Sequence, residues 1–580
     1  MRQKLIFISC LCWLSWNFAC GQSTNISYHP DYYSLIDRLE IKSGQLSPSF
    51  QSAVMPYTRQ QVAQFADTLW AQKDSLNLSR VDEANLRYLM QDNWEWSEKI
   101  EEDYKSKKPL WNALYKTKSD FFHVRNKYYG QNLHDGVDDF DIHVNPVLHL
   151  GYGYETEGDK NPYINTRGAE IRATLVNRIG IYTFLTDNQM RTPFYVLDRT
   201  LRTSGDFNVP NVPGEAFTKW VTEGDDFDFL HARGYISFKT AKVIDIQFGQ
   251  DKQFIGSGYR SLFLSDYSAP HLFLKLNTRI WKFQYTNLYT QFVADVQRPN
   301  RVYPKKYGVF HRLGLNIGKR LNVGVFESVV YSRNDNQRND TFEIGYLNPV
   351  IFYRAIEQGL GSPDNATFGV DATYLVKGLP MKLYATLFLD ELVVSEVRSG
   401  EGWWANKQAL QLGAKYVDLL PDLDVQAEFN LIRPYTYVSD DSLDLADYNH
   451  FNQPLAHPKG ANFYEFIGIL RYQPIPKLRV TGKVIYTQKG EDGEGENWGG
   501  DVLKRSIDRE QEYGNTIGQG IQTDLLYGEL TASYQLRHNL FLDWKNVVRQ
   551  VSSSDPTRER NTFFTSFQIR LNTGRVRHEF

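Results

Sequence analysis

From Phe140 the chain alternates for sixteen residues. Phe140, Ile142, Val144, Pro146, Leu148, Leu150, Tyr152 and Tyr154 fall on one parity, and Asp141, His143, Asn145, His149, Gly151, Gly153 and Glu155 on the other. A two-residue period predicts a β-strand with one apolar and one polar face, longer than the usual globular strand of about five or six residues. The pattern recurs down the chain, with Val425, Ala427, Phe429 and Leu431 opposed to Asp424, Gln426, Glu428 and Asn430. Many long two-faced strands need apolar surroundings on one side and a wet space on the other. A transmembrane barrel supplies both, with lipid outside and a polar lumen within.

Turn signals place the hairpins. Leu410, Leu412, Ala414 and Tyr416 alternate with Gln411, Gly413 and Lys415, turn through Leu419-Leu420-Pro421-Asp422, and re-enter as Val425 to Leu431. Lys377-Gly378-Leu379-Pro380 makes a similar short turn before Leu383, Ala385, Leu387 and Leu389. Short turns suit the periplasmic side, and the longer polar segments Arg191 to Asp228, Tyr437 to Asn462 and Lys489 to Gly520 suit extracellular loops. At about ten residues per spanning strand, residues 111–580 accommodate about 16–18 antiparallel strands, so the expected fold is an all-β transmembrane barrel. The last strand is expected to run through Phe563, Thr565, Phe567, Ile569 and Leu571, past a bulge at Gly574, to Phe580. A secreted soluble propeller is the rival, but it needs repeats of about 40–50 residues, and none is present.

Residues 22–110 follow another period and predict a small α-helical periplasmic unit. Thr58-Arg59-Gln60-Gln61 is a capping box ahead of Val62, Phe65, Ala66 and Leu69 at helical spacing. A second helix is expected from the Ser79 cap, with Val81, Ala84, Tyr88 and Leu89 on one face, and a third over Tyr32 to Ile41. The charged stretch Glu98 to Lys108 reads as a linker or a solvated helix end. Residues 1–21 read as a signal peptide: Arg2 and Lys4, an apolar core from Leu5 to Trp16, and Ala19-Cys20-Gly21 as the cleavage site.

Composition then narrows the function classes. No run of 18 apolar residues follows the signal and the mean hydropathy is −0.48, which excludes a helical membrane protein. Aromatic residues make up 14%, an excess that girdles at two membrane interfaces account for. All three cysteines lie within residues 1–21, so cleavage leaves a chain without disulfide or cysteine chemistry. Nothing in the charge points to nucleic acid.

The search for an enzyme returns negatives, and no catalytic, cofactor or metal residues are expected. Gly256-Ser257-Gly258 lacks the spacing of a nucleophile elbow, no H-E-x-x-H occurs, and the glycines of Glu491 to Gly500 form no phosphate-binding fingerprint. Arg312, Glu327, Glu343, Arg354, Asp390, Lys415, Glu428 and Lys483 are expected to form a polar network filling the lumen. Trp403, Trp404, Tyr435 and Tyr437 are candidate loop aromatics for stacking on sugar rings, with Asn462 for the hydroxyls. Interface anchoring is the alternative use of the same aromatics.

Several pieces resemble a known family. Phe248-Gly249-Gln250-Asp251, then Gly256-x-Gly258-Tyr259-Arg260-Ser261-Leu262-Phe263-Leu264-Ser265 and Ala269-Pro270, are similar to the signature of Wzi-like capsule assembly outer-membrane proteins. So are His311-Arg312-Leu313, Phe326-Glu327, and Gly345-Tyr346-Leu347-Asn348-Pro349 with Phe352-Tyr353-Arg354, Glu357 and Asp364-Asn365. Leu455-Ala456-His457-Pro458-x-Gly460-Ala461-Asn462-Phe463 and Tyr513-Gly514-Asn515 resemble its RemB-like gliding-motility branch. The resemblance implies a non-enzymatic outer-membrane barrel with a periplasmic helical bundle, serving surface polysaccharide attachment or surface motility. The implied partners are outer-membrane lipid, surface polysaccharide, and motility or capsule-export machinery. A porin-like transport pore is the alternative, since a barrel of this size can leave an aqueous channel. The sequence does not decide between an open and a plugged lumen.

Overall fold

Alternation in sequence becomes alternation between lumen and exterior. In the first long strand Asp141, His143, Asn145 and His149 are buried, while Tyr152 and Tyr154 stand 63% and 54% exposed. The computed structural model describes residues 22–27, 29–99, 121–126, 140–175, 178–203, 210–216, 218–221, 226–241, 243–294, 303–333, 341–349, 364–439 and 445–580. The expected signal peptide, nearly all of the charged linker, the 110/111 boundary and Arg354 lie outside these residues.

Eighteen antiparallel strands close the wall. They are β1 (Phe140–Glu155), β2 (Tyr163–Leu175), β3 (Ile179–Arg191), β4 (Phe227–Ala241), β5 (Ile244–Asp251) and β6 (His271–Ile280). Then follow β7 (Phe283–Val293), β8 (Lys305–Ile317), β9 (Leu321–Tyr331), β10 (Asn365–Leu375), β11 (Met381–Glu391) and β12 (Lys407–Leu420). The last six are β13 (Leu423–Ile432), β14 (Phe463–Ile475), β15 (Leu478–Glu491), β16 (Ile521–Arg537), β17 (Leu540–Ser553) and β18 (Arg560–Leu571). Each pairs with its neighbour in sequence, and β18 returns to β1 in the register Leu571↔Leu148 to Phe564↔Glu155. The part of β1 beyond β18 pairs instead with a short strand, Phe122–Asn126. A closed ladder satisfies every wall amide internally, which hydrocarbon demands.

The two ends differ. At one, adjacent strands are joined by tight turns such as Pro421-Asp422, where Tyr416↔Val425 begins the regular register expected from the sequence. At the other, long segments join them. Outward side chains between the ends are apolar, including Leu412, Leu470, Leu530, Val548 and Phe567, all more than 40% exposed. Exposed aromatics ring both ends: Tyr374, Tyr472, Tyr534 and Trp281 at the short turns, Tyr152, Tyr154 and Tyr486 at the long loops. An apolar band between two aromatic belts is the form that a lipid bilayer selects, with the short turns toward the periplasm.

Helices α1 (Pro30–Ser43), α2 (Arg59–Ala71) and α3 (Arg80–Asp92) close the short-turn end. The sequence-predicted capping box is formed at Thr58, and the expected Ser79 cap is formed as a capping box with Asp82. Val62, Phe65, Ala66 and Leu69 face the unit's core as expected, beside Ile36, Leu39, Phe50, Leu86 and Leu89. In α3 the buried face runs through Val81, Asn85, Leu86, Leu89 and Met90; Ala84 and Tyr88 sit at its edge. Ionic contacts dock the unit onto the wall. Arg38 binds Asp418, Asp422 and Asp424 around one turn, and Lys382 binds Asp37 and Glu40 at 2.6 and 3.0 Å.

The end of the chain departs from the sequence expectation. The last strand stops at Leu571, Asn572 takes a left-handed φ of 54°, and residues 573–580 turn into the lumen instead of extending the wall past Gly574. Phe580 is buried against Tyr195 and Tyr267. Arg575 and Arg577 explain the turn. They bind Asp31 and Asp266 inside the barrel, counter-charges that hydrocarbon does not offer.

Candidate functional site

The lumen is filled by the protein itself. Residues 252–270, between β5 and β6, cross it. Ile255 pairs with Val54 of the N-terminal unit, and the Gly256 amide donates to the Ala53 carbonyl at 2.9 Å. Leu262, Phe263 and Leu264 are buried, and Phe263 stacks on Phe326 with centroids 4.2 Å apart. Gly369 makes that packing possible, because a Cβ there would stand 2.3 Å from the Phe263 ring. Tyr437 and Tyr448 cap the crossing from the long-loop side, donating to the Leu262 and Phe263 carbonyls at 3.0 and 2.6 Å. The stretch that carries most of the family resemblance is thus the keystone of the plug.

The structure places five of the eight expected lumen residues inside the barrel. Arg312 is fully buried and binds both Asp371 oxygens, Nε at 2.9 Å and Nη2 at 2.7 Å. Glu428 accepts from the Arg260 amide at 3.0 Å and the Tyr384 hydroxyl at 2.7 Å. Lys483 meets Glu579 at 2.5 Å and Glu529 at 3.4 Å. Lys415 reaches Asp37 of α1, and Asp390 accepts from the Tyr437 amide at 2.7 Å. Arg354 is not among the described residues. Glu327 and Glu343 are corrections. Glu327 shares the outward parity of Val323 and Val325, opposite His311, and Glu343 belongs to residues 341–349, which fold back over the outer wall. Tyr289 and Asn287 of β7 donate to Leu347 and Pro349 of that flap, at 3.1 Å each. The flap supplies the polar shelter that parity alone assigned to the lumen.

The loop candidates for sugar stacking are corrected too. Trp404, Tyr435, Tyr437 and Asn462 are buried, and only Trp403 is partly open to solvent. Asn462 Nδ2 contacts the Gly490 and Gln519 carbonyls at 3.1 and 2.9 Å while its Oδ1 takes the Gly518 amide at 2.8 Å. Tyr435 donates to the Asn497 carbonyl at 2.8 Å, and Arg509 stands 4.2 Å from the Trp404 ring centroid. These residues tie segments 433–439, 445–462 and 492–520 into one tier above the lumen.

Beneath that tier lies a cavity of 420 Å³ that sequence reasoning missed. Its wall includes Tyr195, Tyr267, Phe580, Arg199, Lys459 and Arg549, brought together from five separate segments. Helix α4 (Phe194–Thr203) carries Tyr195 and Arg199. Of these residues the sequence reading named only Phe580, as the end of the last strand; Lys459 is the unspecified position inside the Leu455 to Phe463 motif. A second cavity of 230 Å³ shares Tyr267, Pro458 and Phe580 with the first, and a third of 120 Å³ shares Tyr259, Asp266 and Arg577 with the second.

His123, Asp141 and His143 form a cluster at the short-turn end with the spacing of metal ligands. Arg172 Nη2 lies 3.3 Å from His143 Nδ1, and Asp141 Oδ1 lies 2.7 and 3.1 Å from the Nε2 atoms of His123 and His143.

The fold and this closed lumen define a class: an eighteen-stranded outer-membrane-type β-barrel plugged by its own chain. Among solved structures it is similar to Wzi, a carbohydrate-binding β-barrel involved in group 1 capsule assembly in Escherichia coli. The TM-score is 0.56 at 11% identity, over 95% of this chain and 100% of that one. It is also similar to OprD of Pseudomonas aeruginosa, with a TM-score of 0.41 and 9% identity over 74% of this chain and 95% of that one. OccK8 (OprE) of the same organism gives 0.40 and 9%, over 74% and 97%. No protein-family model and no curated relative matches the sequence. At these identities the likeness is one of fold.

Proposed function

We propose that this protein is a non-enzymatic outer-membrane barrel that binds surface polysaccharide, serving its attachment or assembly at the cell surface or a surface motility that depends on it. The observation that carries the reading is the loop tier over a 420 Å³ cavity, set above the segment that crosses the lumen. That volume lies within the range of small-ligand sites, and its aromatic and polar lining suits sugars, which offer apolar C–H faces and many hydroxyls. The test is retention of purified capsular or exopolysaccharide by the detergent-solubilised protein, alongside the surface phenotype of a deletion strain. Retention with a capsule or spreading defect is the expected result. No retention with normal capsule and spreading would count against it.

A gated transport pore is the second reading, favoured by the three cavities that share walls from the long-loop end to α1. Planar-bilayer conductance separates the two, since a pore conducts on displacement of residues 573–580 and a binding barrel remains closed.

A further inference from the structure

We propose that the cavity at the long-loop end seats an acidic sugar residue, with Lys459 and Lys489 holding its anionic group and Arg549 flanking it. The inference rests on the glycan-binding reading and names the substrate class of the same site.

Charge bookkeeping is the first support. Eight lysine and arginine side chains line the cavity against four carboxylates. Three of those carboxylates are already engaged: Asp198 with Arg202 at 2.8 Å, Glu491 with Arg558 at 2.7 Å, and Asp492 with Lys504 at 3.1 Å. Among the described residues no Asp or Glu carboxylate lies within 4.0 Å of the Lys459 or Lys489 ammonium. The wall therefore carries more basic than acidic side chains.

Burial sharpens the point. Lys459 is only 7% exposed. Burial drives its ammonium well below the usual lysine range, even though Glu465 pulls the other way. A buried cation without a counter-ion is costly, and an incoming anion offsets that cost. Thr487 Oγ1 lies on the same wall, buried and without a hydrogen-bond partner, as a ready donor or acceptor.

The cations are also held in place. Lys489 Nζ donates to the Lys459 carbonyl at 2.8 Å, which ties the two together. Arg549 donates through Nε to the Phe580 carbonyl at 3.2 Å and lies 5.1 Å from the Tyr195 ring centroid, leaving its two terminal nitrogens for a planar carboxylate. Arg199 is stacked 4.1 Å from the Phe580 centroid beside them. A preorganised cationic wall next to aromatic rings suits an anionic pyranose better than a bare anion, which has no use for the rings.

The experiment is titration calorimetry of the full chain in detergent with an oligogalacturonate, with a malto-oligosaccharide of equal length, and with inorganic phosphate. The oligogalacturonate is expected to bind at least about tenfold tighter than either, the worth of one charge-assisted hydrogen bond. K459Q and K489Q are each expected to weaken it by about tenfold and the malto-oligosaccharide by clearly less, with K459R as the charge-keeping control if K459Q fails to fold. Equal binding of both oligosaccharides, or unchanged variants, overturns the anionic assignment and leaves the proposed glycan binding standing. Binding of neither overturns both. Phosphate binding as tight as the oligogalacturonate marks a simple anion site and overturns the sugar.

Discussion

The Tyr259 hydroxyl lies 2.7 Å from each carboxylate oxygen of Glu579. One residue belongs to the segment that crosses the lumen and the other to the tail after the last strand, so the two parts of the plug share one buried anion. Lys483 at 2.5 Å and Arg260 at 3.4 Å neutralise it. Glu579→Gln keeps the shape and removes the charge. It is expected to cost about 1.5–3 kcal/mol, the worth of a hydrogen bond to a charged group, read as a lower unfolding midpoint in detergent. Protease cleavage within residues 573–580 should rise with it. A variant as resistant and as stable as the parent would show that the tail is held by Arg575 and Arg577 instead.

Arg312 and Asp371 form a second buried pair, neither exposed to solvent. Arg312→Ala strands the Asp371 carboxylate in the lumen and is expected to cost about 3–5 kcal/mol. Replacing both, Arg312→Met with Asp371→Leu, should cost much less, because no charge is left unpaired. A double-mutant cycle on the unfolding midpoint checks it, and additive single costs would rule the coupling out.

The helix caps are predicted to differ. Thr58 Oγ1 accepts only the Gln61 amide, at 3.2 Å, whereas Ser79 accepts the Asp82 amide and also donates to Asp422 in the β12–β13 turn at 2.6 Å. Thr58→Ala should cost about 1 kcal/mol and Ser79→Ala roughly twice that, since it loses a cap and a docking bond. Differential scanning of the solubilised protein measures the difference, and equal losses would assign the Asp422 contact no energy.

How far the sequence reached follows a single line. Strand parity was legible because bilayer and lumen are opposite solvents: Gln426, Glu428 and Asn430 are buried inward as the alternation in β13 requires. Caps were legible because they are local, as Thr58 and Ser79 show. What failed was everything decided by chain returning from a distance. Glu327 looked lumenal until the 341–349 flap sheltered the outer wall beside it, and Phe580 looked like a strand end until Arg575 and Arg577 drew the tail inward. Tyr435 and Tyr437 looked like exposed loop aromatics. Their left-handed φ values of 62° and 77° belong to a tight fold that buries them, which no periodicity announces.

Acid should loosen the junction of tail and helical unit. Burial pushes the His29 imidazole down to about 3, over the opposing pull of Asp31 and helped by Arg570. Burial alone would raise the Asp31 carboxyl, but Arg575, then His29, outweigh it and hold it below the usual carboxylate range. Both signs agree. The unfolded chain takes the His29 proton as pH falls through about 6.5 and the Asp31 proton near about 4, before the folded chain does, so stability drops as pH falls across that window. Unfolding midpoints measured between about pH 7 and 3 should decline, and His29→Asn should flatten the upper part of the curve. A flat profile in the parent would remove His29 and Asp31 as the titrating groups.

The last prediction concerns Phe263. Its ring lies fully buried and nearly parallel to Phe326, at an interplanar angle of 5°, over the Cβ-free surface of Gly369. Phe263→Ala empties that space where the crossing segment meets the wall, so a loss of about 3–5 kcal/mol is expected. The β-ladders around it do not depend on the ring, and the barrel should keep its heat-dependent shift in gel mobility. The crossing segment should not keep its place, because Leu262 and Leu264 belong to the same buried cluster as the lost ring. Bilayer recordings should then show channel events absent from the parent. If the variant loses stability and stays silent, the seal belongs to the helices and the tail, and the crossing segment serves the binding tier above it.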